Sequence, residues 1–297
     1  MKEPVFQGSC TALITPFSSS GINYVRLSRQ LSYQAENGTA AIVIAGTTGE
    51  NPTLSEDEFE QLTKFAVQNT PSTMKKIVCI GGNDTMHCLK RARFSEAAGA
   101  DALLMTAPYY NKTTEAGLIA HFTAVADQSA IPLILYNVPG RTAISIPPAV
   151  FRALSAHPNI NGVKEASGDV SLAGRILSEC GTELNVWSGN DELTVPLMAL
   201  GAKGVISTAS NLLPQIISRL CDLCLQGDYS AAAAMNCAYE PLFRALFLEA
   251  NPIPLKAAMA AAGLDSGILR LPLVTISDGS RAVLLDAMKQ AAIPCHT

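Results

Sequence analysis

A chain of 297 residues that is 48% hydrophobic and only 15% charged is neither disordered nor a solvated spacer. It has length for one barrel-sized unit with an appendage, or for two unequal domains. Its 21 Lys and Arg against 25 Asp and Glu leave a net charge of −4, and no basic run offers the stripe that nucleic acid requires. No window approaches 18 unbroken apolar residues, so no membrane partner is expected.

In chain order, residues 4–25 are poor in charge but broken by Pro16 and rich in Ser and Thr, which reads as a cytoplasmic start rather than a leader. Apolar or β-branched runs then recur at Cys10–Ile14, Ala41–Ala45, Ile77–Ile80, Ala102–Thr106, Leu133–Asn137, Gly162–Ala166, Asn185–Ser188 and Gly204–Ser207. Their starts lie 19 to 36 residues apart, which suits a strand, a helix and two short loops each time. Helix starts carry chemical marks: Ser55-Glu-Asp-Glu58 has the form of a capping box, and Pro147 and Pro148 stand where a helix begins without needing the missing N–H. Eight such repeats predict an α/β fold, a (β/α)8 TIM barrel over residues 1–226. After Gln226 the pattern changes to helices alone (Tyr229–Glu249, Pro254–Ala262, Ser280–Ala292), a C-terminal helical appendage over 227–297.

The eight cysteines are scattered through apolar contexts, which favours reduced core thiols over a disulfide framework. Cys221 and Cys224, the only CxxC, lie in a helical pattern and read as core. The histidines at 87, 121, 157 and 296 lack the spacing of a metal cluster, and neither nucleotide loops nor a nucleophile elbow are present. Gly81-Gly82 follows the third strand rather than the seventh or eighth, and the loops after those last two carry no basic residue. An unphosphorylated substrate is expected.

A barrel places its reacting groups at the C-terminal ends of strands. Lys164 is the only one of ten lysines embedded in a strand core. Desolvation there disfavours an ammonium and would prepare the amine to form a Schiff base with a carbonyl substrate; the alternative is a lysine that snorkels to solvent. Tyr136, on the fifth strand, would face the same cavity as a proton carrier or serve as a buried structural phenol. Thr47 and Thr48, between Gly46 and Gly49, suit hydrogen bonding to a carboxylate, proton relay or plain turn chemistry. Arg141 offers a planar fork for a carboxylate or phosphate, although loop arginines are often merely solvated.

Together, Gly46-Thr-Thr-Gly-Glu50, Tyr136-Asn-Val-Pro-Gly-Arg-Thr142, Gly162-Val-Lys-Glu-Ala-Ser-Gly168 and Asn251-Pro-Ile-Pro254 resemble the Schiff-base aldolases of the dihydrodipicolinate synthase and N-acetylneuraminate lyase superfamily, across essentially the whole chain. Thr-Thr in place of Ser-Thr, and an arginine at 141, make the chain similar to the dihydrodipicolinate synthase branch. The resemblance implies that Lys164 forms an imine with pyruvate, that Tyr136 transfers protons, and that Thr47 and Tyr110 complete a relay to solvent. It further implies that Thr48 holds the pyruvate carboxylate, Arg141 holds that of aspartate semialdehyde, and the backbone at Ile206 lines the pyruvate pocket. No metal or organic cofactor is implied. The assembly implied is a homotetramer of two tight dimers, with Tyr110 reaching into the partner's site.

Members of this family inhibited by lysine have an effector pocket whose matching positions here are Asn51, Pro52, Glu56, Phe59, Asn83, His87 and Tyr109. Sensitive bacterial forms typically carry His at 59 and Glu at 87, so Phe59 and His87 imply a lost carboxylate and weak or absent inhibition. Two rival functions remain: a sister aldolase or lyase acting on another 2-oxo acid, of N-acetylneuraminate or sugar-acid type, which would share Lys164 and Tyr136, and a silent paralogue that binds pyruvate or an amino acid, against which the intact Lys, Tyr and Thr set argues.

Overall fold

The computed structural model describes residues 2–295; His296 lies outside them. Eight parallel strands close into a barrel: β1 (Gly8–Ala12), β2 (Ala41–Ile44), β3 (Lys75–Cys79), β4 (Ala102–Thr106), β5 (Leu133–Asn137), β6 (Ile160–Glu165), β7 (Asn185–Ser188) and β8 (Gly204–Ser207). Four match the expected runs residue for residue, and the others differ by one or two residues at their ends. The ring closes where Cys10 of β1 pairs with Ala41 of β2 on one side and Ile206 of β8 on the other. Strands covered on both faces must be apolar on both, which is why these segments read as continuous runs instead of alternating ones.

Two apolar layers result. Helices pack on the outside of the strands, and inside the ring Cys10, Ala12, Val43, Ile77, Leu104, Ile134, Tyr136, Trp187 and Ile206 fill the barrel. Where the strands begin, Phe6 stacks on Trp187 with ring centres 5.0 Å apart, and the indole Nε1 donates to the Phe6 carbonyl at 3.2 Å. Gly162 has to be glycine here: a Cβ would stand 2.4 Å from the Asn185 carbonyl oxygen and 2.6 Å from the Trp187 ring. With one end plugged, the other end, where the strands finish, is left to receive a ligand.

The outer helices start on the expected chemistry. Ser55 Oγ accepts from the Glu58 amide while Glu58 accepts from the Ser55 amide, closing the capping box. Helix Pro148–Ser155 begins on its proline. Not every unit contains the expected 10 to 15 helical residues: Thr194–Ala199 is a single short helix after β7. Cys221 and Cys224 are buried in helix Pro214–Leu225 as free thiols.

The C-terminal helices are Tyr229–Ala245, Ile253–Ala261 and Asp278–Gln290, within a few residues of their expected spans. A two-stranded antiparallel ribbon, Phe17–Ser18 with Gly21–Ile22, was not foreseen; segments of two residues leave no periodicity to read. Its Phe17 ring is buried beneath two cations from the C-terminal segment, Lys256 at 4.3 Å and Arg270 at 4.2 Å from the ring centre.

Candidate active site

The β5 and β6 runs pair in register, Tyr136 opposite Lys164, and both side chains point into the barrel near the strands' C-terminal ends. Lys164 is 5% exposed, and its amine makes no hydrogen bond or ion pair with any described residue. Its Nζ stands 4.5 Å from the centre of the Tyr136 ring. It also reaches across the interior: burial pushes the Cys10 thiol of β1 well above the usual thiol range, and the charge of Lys164 works against that rise. Inside the apolar ring the amine thus has the Tyr136 ring as its neighbour and no hydrogen bond or ion pair that holds it away from a carbonyl carbon.

The residues immediately after this pair brace the strand ends. Asn137 Nδ2 donates to Glu165 at 2.8 Å, the Ser167 amide donates to the other Glu165 oxygen at 2.7 Å, and Asn137 Oδ1 accepts from the Ile146 amide at 3.0 Å. Burial pushes the Glu165 carboxyl above its ordinary value despite these donors. Side chains alternate across a strand, so Glu165 turns to the opposite face from Lys164 and serves the scaffold.

After β2 the chain turns through Gly46–Asn51. Thr48 is buried, and its Oγ1 accepts from Asn251 Nδ2 at 2.9 Å. Arg141 lies on the short helix Pro139–Thr142 after β5, and its Nη2 donates to the Asn251 carbonyl at 3.2 Å. Thr47 and Arg141 line one cavity of about 440 Å³. Ile206 is fully buried on β8 inside the barrel. Tyr110 stands apart: it is 92% exposed, at a positive φ of 67°, and does not meet Thr47 or Tyr136 within the chain.

The turn is held from a distance. Glu50, at a φ of 55°, pairs with Lys256 of helix Ile253–Ala261 at 2.5 Å, both side chains fully buried. The Lys256 ammonium spends its other protons on the carbonyls of Thr15 and Ile268, each at 2.8 Å. The second Glu50 oxygen accepts from the Arg270 amide at 3.0 Å. Lys256 is therefore buried more completely than Lys164, although its helical position hides that from a search for lysines in strands. Neither its role nor that of Asn251 was foreseen; the Asn251-Pro-Ile-Pro254 motif was the only signal pointing at this segment.

Of the positions matched to an effector pocket, Asn51, Pro52, Glu56, Asn83, His87 and Tyr109 line the same cavity as Thr47 and Arg141. Phe59 does not. Its ring is fully buried and covered by the Arg91 guanidinium at 4.1 Å, because at the core-facing position of helix Glu56–Asn69 an aromatic ring packs inward. His87 stands where sensitive forms carry a carboxylate, and the cavity keeps one carboxylate of its own, Glu56. That carboxylate is already engaged by Arg91 Nη2 at 2.6 Å and His87 Nε2 at 2.9 Å. Partial burial acts to raise the Glu56 carboxyl, but the hydrogen bonds from Arg91 and His87 outweigh it and hold the group below its ordinary value. Arg91 was missed, although His87 and Arg91 at i, i+4 on one helix face were a legible basic pair.

The model of the dihydrodipicolinate synthetase family matches residues 5–291. A 4-hydroxy-tetrahydrodipicolinate synthase of Thermoanaerobacter sp. (strain X514) is 44% identical over 276 residues, 93% of each chain. Among solved structures, the dihydrodipicolinate synthase from Aquifex aeolicus has a TM-score of 0.96 at 39% identity, covering 98% of this chain and 100% of that one. The chloride-inhibited dihydrodipicolinate synthase from Acinetobacter baumannii, complexed with pyruvate, has a TM-score of 0.94 at 38% identity, covering 97% and 99%.

Proposed function

The chain belongs to the dihydrodipicolinate synthetase family, and from that premise we propose how its residues condense pyruvate with L-aspartate 4-semialdehyde. The protein is a Schiff-base-forming lyase of lysine and diaminopimelate biosynthesis, with 4-hydroxy-tetrahydrodipicolinate as its product. The observation that carries the residue assignment is the buried, unpartnered Lys164 amine beside Tyr136.

The Lys164 nitrogen attacks the keto carbon of pyruvate, and loss of water leaves an imine. Once protonated, the imine withdraws electrons, so a methyl proton leaves and an enamine forms. The enamine carbon bonds to the aldehyde carbon of the second substrate, whose oxygen takes up a proton. The amine of that substrate then attacks the imine carbon, closes the ring and releases Lys164. Tyr136, the register neighbour of Lys164, carries the protons, with Thr47 and Tyr110 passing them on to solvent. Thr48 holds the pyruvate carboxylate, the backbone at Ile206 lines the pocket, and Arg141 receives the carboxylate of the semialdehyde.

Residues 1–226 form the catalytic barrel, and 227–297 the helical appendage that braces it. The working assembly is a cytoplasmic homotetramer of tight dimers; the exposed Tyr110, which hydrogen-bonds through its side chain to no described residue, supports completion of the relay by a second copy. Asn51, Pro52, Glu56, Asn83, His87 and Tyr109, with Phe59 behind them, mark where a lysine effector would lie.

The test is coupled turnover of pyruvate with aspartate semialdehyde by the purified protein. Turnover of sugar-derived aldehydes in preference to the semialdehyde would overturn the substrate assignment, and no turnover of either would reject the mechanism.

A further inference from the structure

Resting on that reading, we propose that Asn251 is a positioning residue which aims the Thr48 hydroxyl at the carboxylate of pyruvate. A threonine hydroxyl has one proton to give and two lone pairs with which to accept. In a site that must hold a carboxylate, the proton has to remain available to it. Asn251 Nδ2 donates to Thr48 Oγ1 at 2.9 Å, and that hydroxyl makes no other hydrogen bond with any described residue. Both residues are buried. One lone pair is thereby occupied by a donor, which leaves the O–H to point elsewhere as a donor itself.

The same asparagine touches the second carboxylate-binding residue by a different group. Arg141 Nη2 donates to the Asn251 main-chain carbonyl at 3.2 Å. The two arms are chemically separable, because a substitution at 251 removes the amide that serves Thr48 and retains the carbonyl that serves Arg141. Asn251 is itself fixed by its neighbourhood: five residues on, Lys256 is buried against Glu50, two residues beyond Thr48, so the segment grips the turn at two points. A wholly structural asparagine would have no reason to affect one substrate and spare the other.

The experiment measures the pyruvate concentration that half-saturates borohydride trapping at Lys164, which needs no second substrate, alongside steady-state kinetics. Asn251→Ala should raise the half-saturating pyruvate concentration about ten-fold, a loss of one charge-assisted contact. Trapping should still reach completion at high pyruvate, and KM for aspartate semialdehyde should change less than two-fold. In a Thr48→Val background, Asn251→Ala should have no further effect on pyruvate. An unchanged half-saturation, or an equal effect with Thr48 already removed, overturns the proposal. If Asn251→Ala does not fold, the near-isosteric Asn251→Asp replaces the donor by an acceptor that captures the Thr48 proton, and wild-type pyruvate affinity in that variant overturns it as well. Wild-type protein that traps pyruvate but does not use aspartate semialdehyde would reject the substrate assignment while leaving Asn251 to stand or fall on trapping alone; wild-type protein that traps none overturns both.

Discussion

The Lys164 amine faces the ring of Tyr136, 4.5 Å from its centre, on the register-paired position of the neighbouring strand. The phenol thus offers the amine two separate things, an aromatic face and a hydroxyl, and only the hydroxyl moves protons.

Tyr136→Phe keeps the face and removes the hydroxyl. We expect pyruvate still to be trapped by borohydride at Lys164 while turnover falls by about two to four orders of magnitude. Lys164→Arg should abolish the three-carbon adduct, and intact-protein mass before and after reduction measures both. An adduct formed equally in Lys164→Arg would remove the amine from the mechanism.

Lys256 and Glu50 make a second prediction, about stability. Lys256→Met would leave the Glu50 carboxylate fully buried without its cation, a loss of about 3–5 kcal/mol. Adding Glu50→Gln should recover part of it, because the uncompensated charge is the larger penalty. Urea unfolding of the two variants is the check, and a loss below about 1 kcal/mol in Lys256→Met would show the pair to be dispensable.

Asp191 predicts a pH dependence. It is buried beside β7 and β8, accepts from Ser207 Oγ and from the amides of Thr208 at 3.2 Å and Ala209 at 2.9 Å, and burial nevertheless pushes its carboxyl up to about 6. Between its ordinary value and about 6 the folded protein holds a proton that the unfolded chain has lost. Its contribution to stability is therefore complete at low pH and declines as pH rises through that window, by on the order of 2–3 kcal/mol. Asp191→Asn should flatten this part of the profile from pH 4 to 6.5. Denaturant midpoints for both proteins across that range would decide it, and parallel profiles would exclude Asp191 as the source.

Lysine should inhibit weakly. A lysine ammonium entering the cavity needs a free carboxylate, and Glu56 is committed to Arg91 and His87. We expect half-inhibition above about 1 mM, equivalent to about 4 kcal/mol of binding or less. Arg91→Ala should not be read as a simple activation of this site, because Arg91 also bonds Asn51 Oδ1 at 2.7 Å and covers Phe59.

Much of the barrel was legible because its information is local. A fully buried parallel strand needs a short apolar run, a helix start needs Ser55 with Glu58, and a lysine interrupting the run Gly162–Ala166 stands out against its neighbours. Phe59 and Tyr110 were less legible for the same reason. Whether an aromatic ring faces a cavity, the core or solvent depends on what packs over it, and Arg91 covers the first while the second is left 92% exposed.

The order of the barrel strands, and the one lysine set within a strand run, were determined by the amino-acid sequence alone, since each depends on spacing within a few residues. Tertiary structure decided which distant groups meet. Thr48 and Asn251 are 203 residues apart, and Glu50 and Lys256 are 206. Such pairs require the closed barrel and the docked last helices, because their partners are chosen by burial and by the cost of leaving polar groups unpaired away from water.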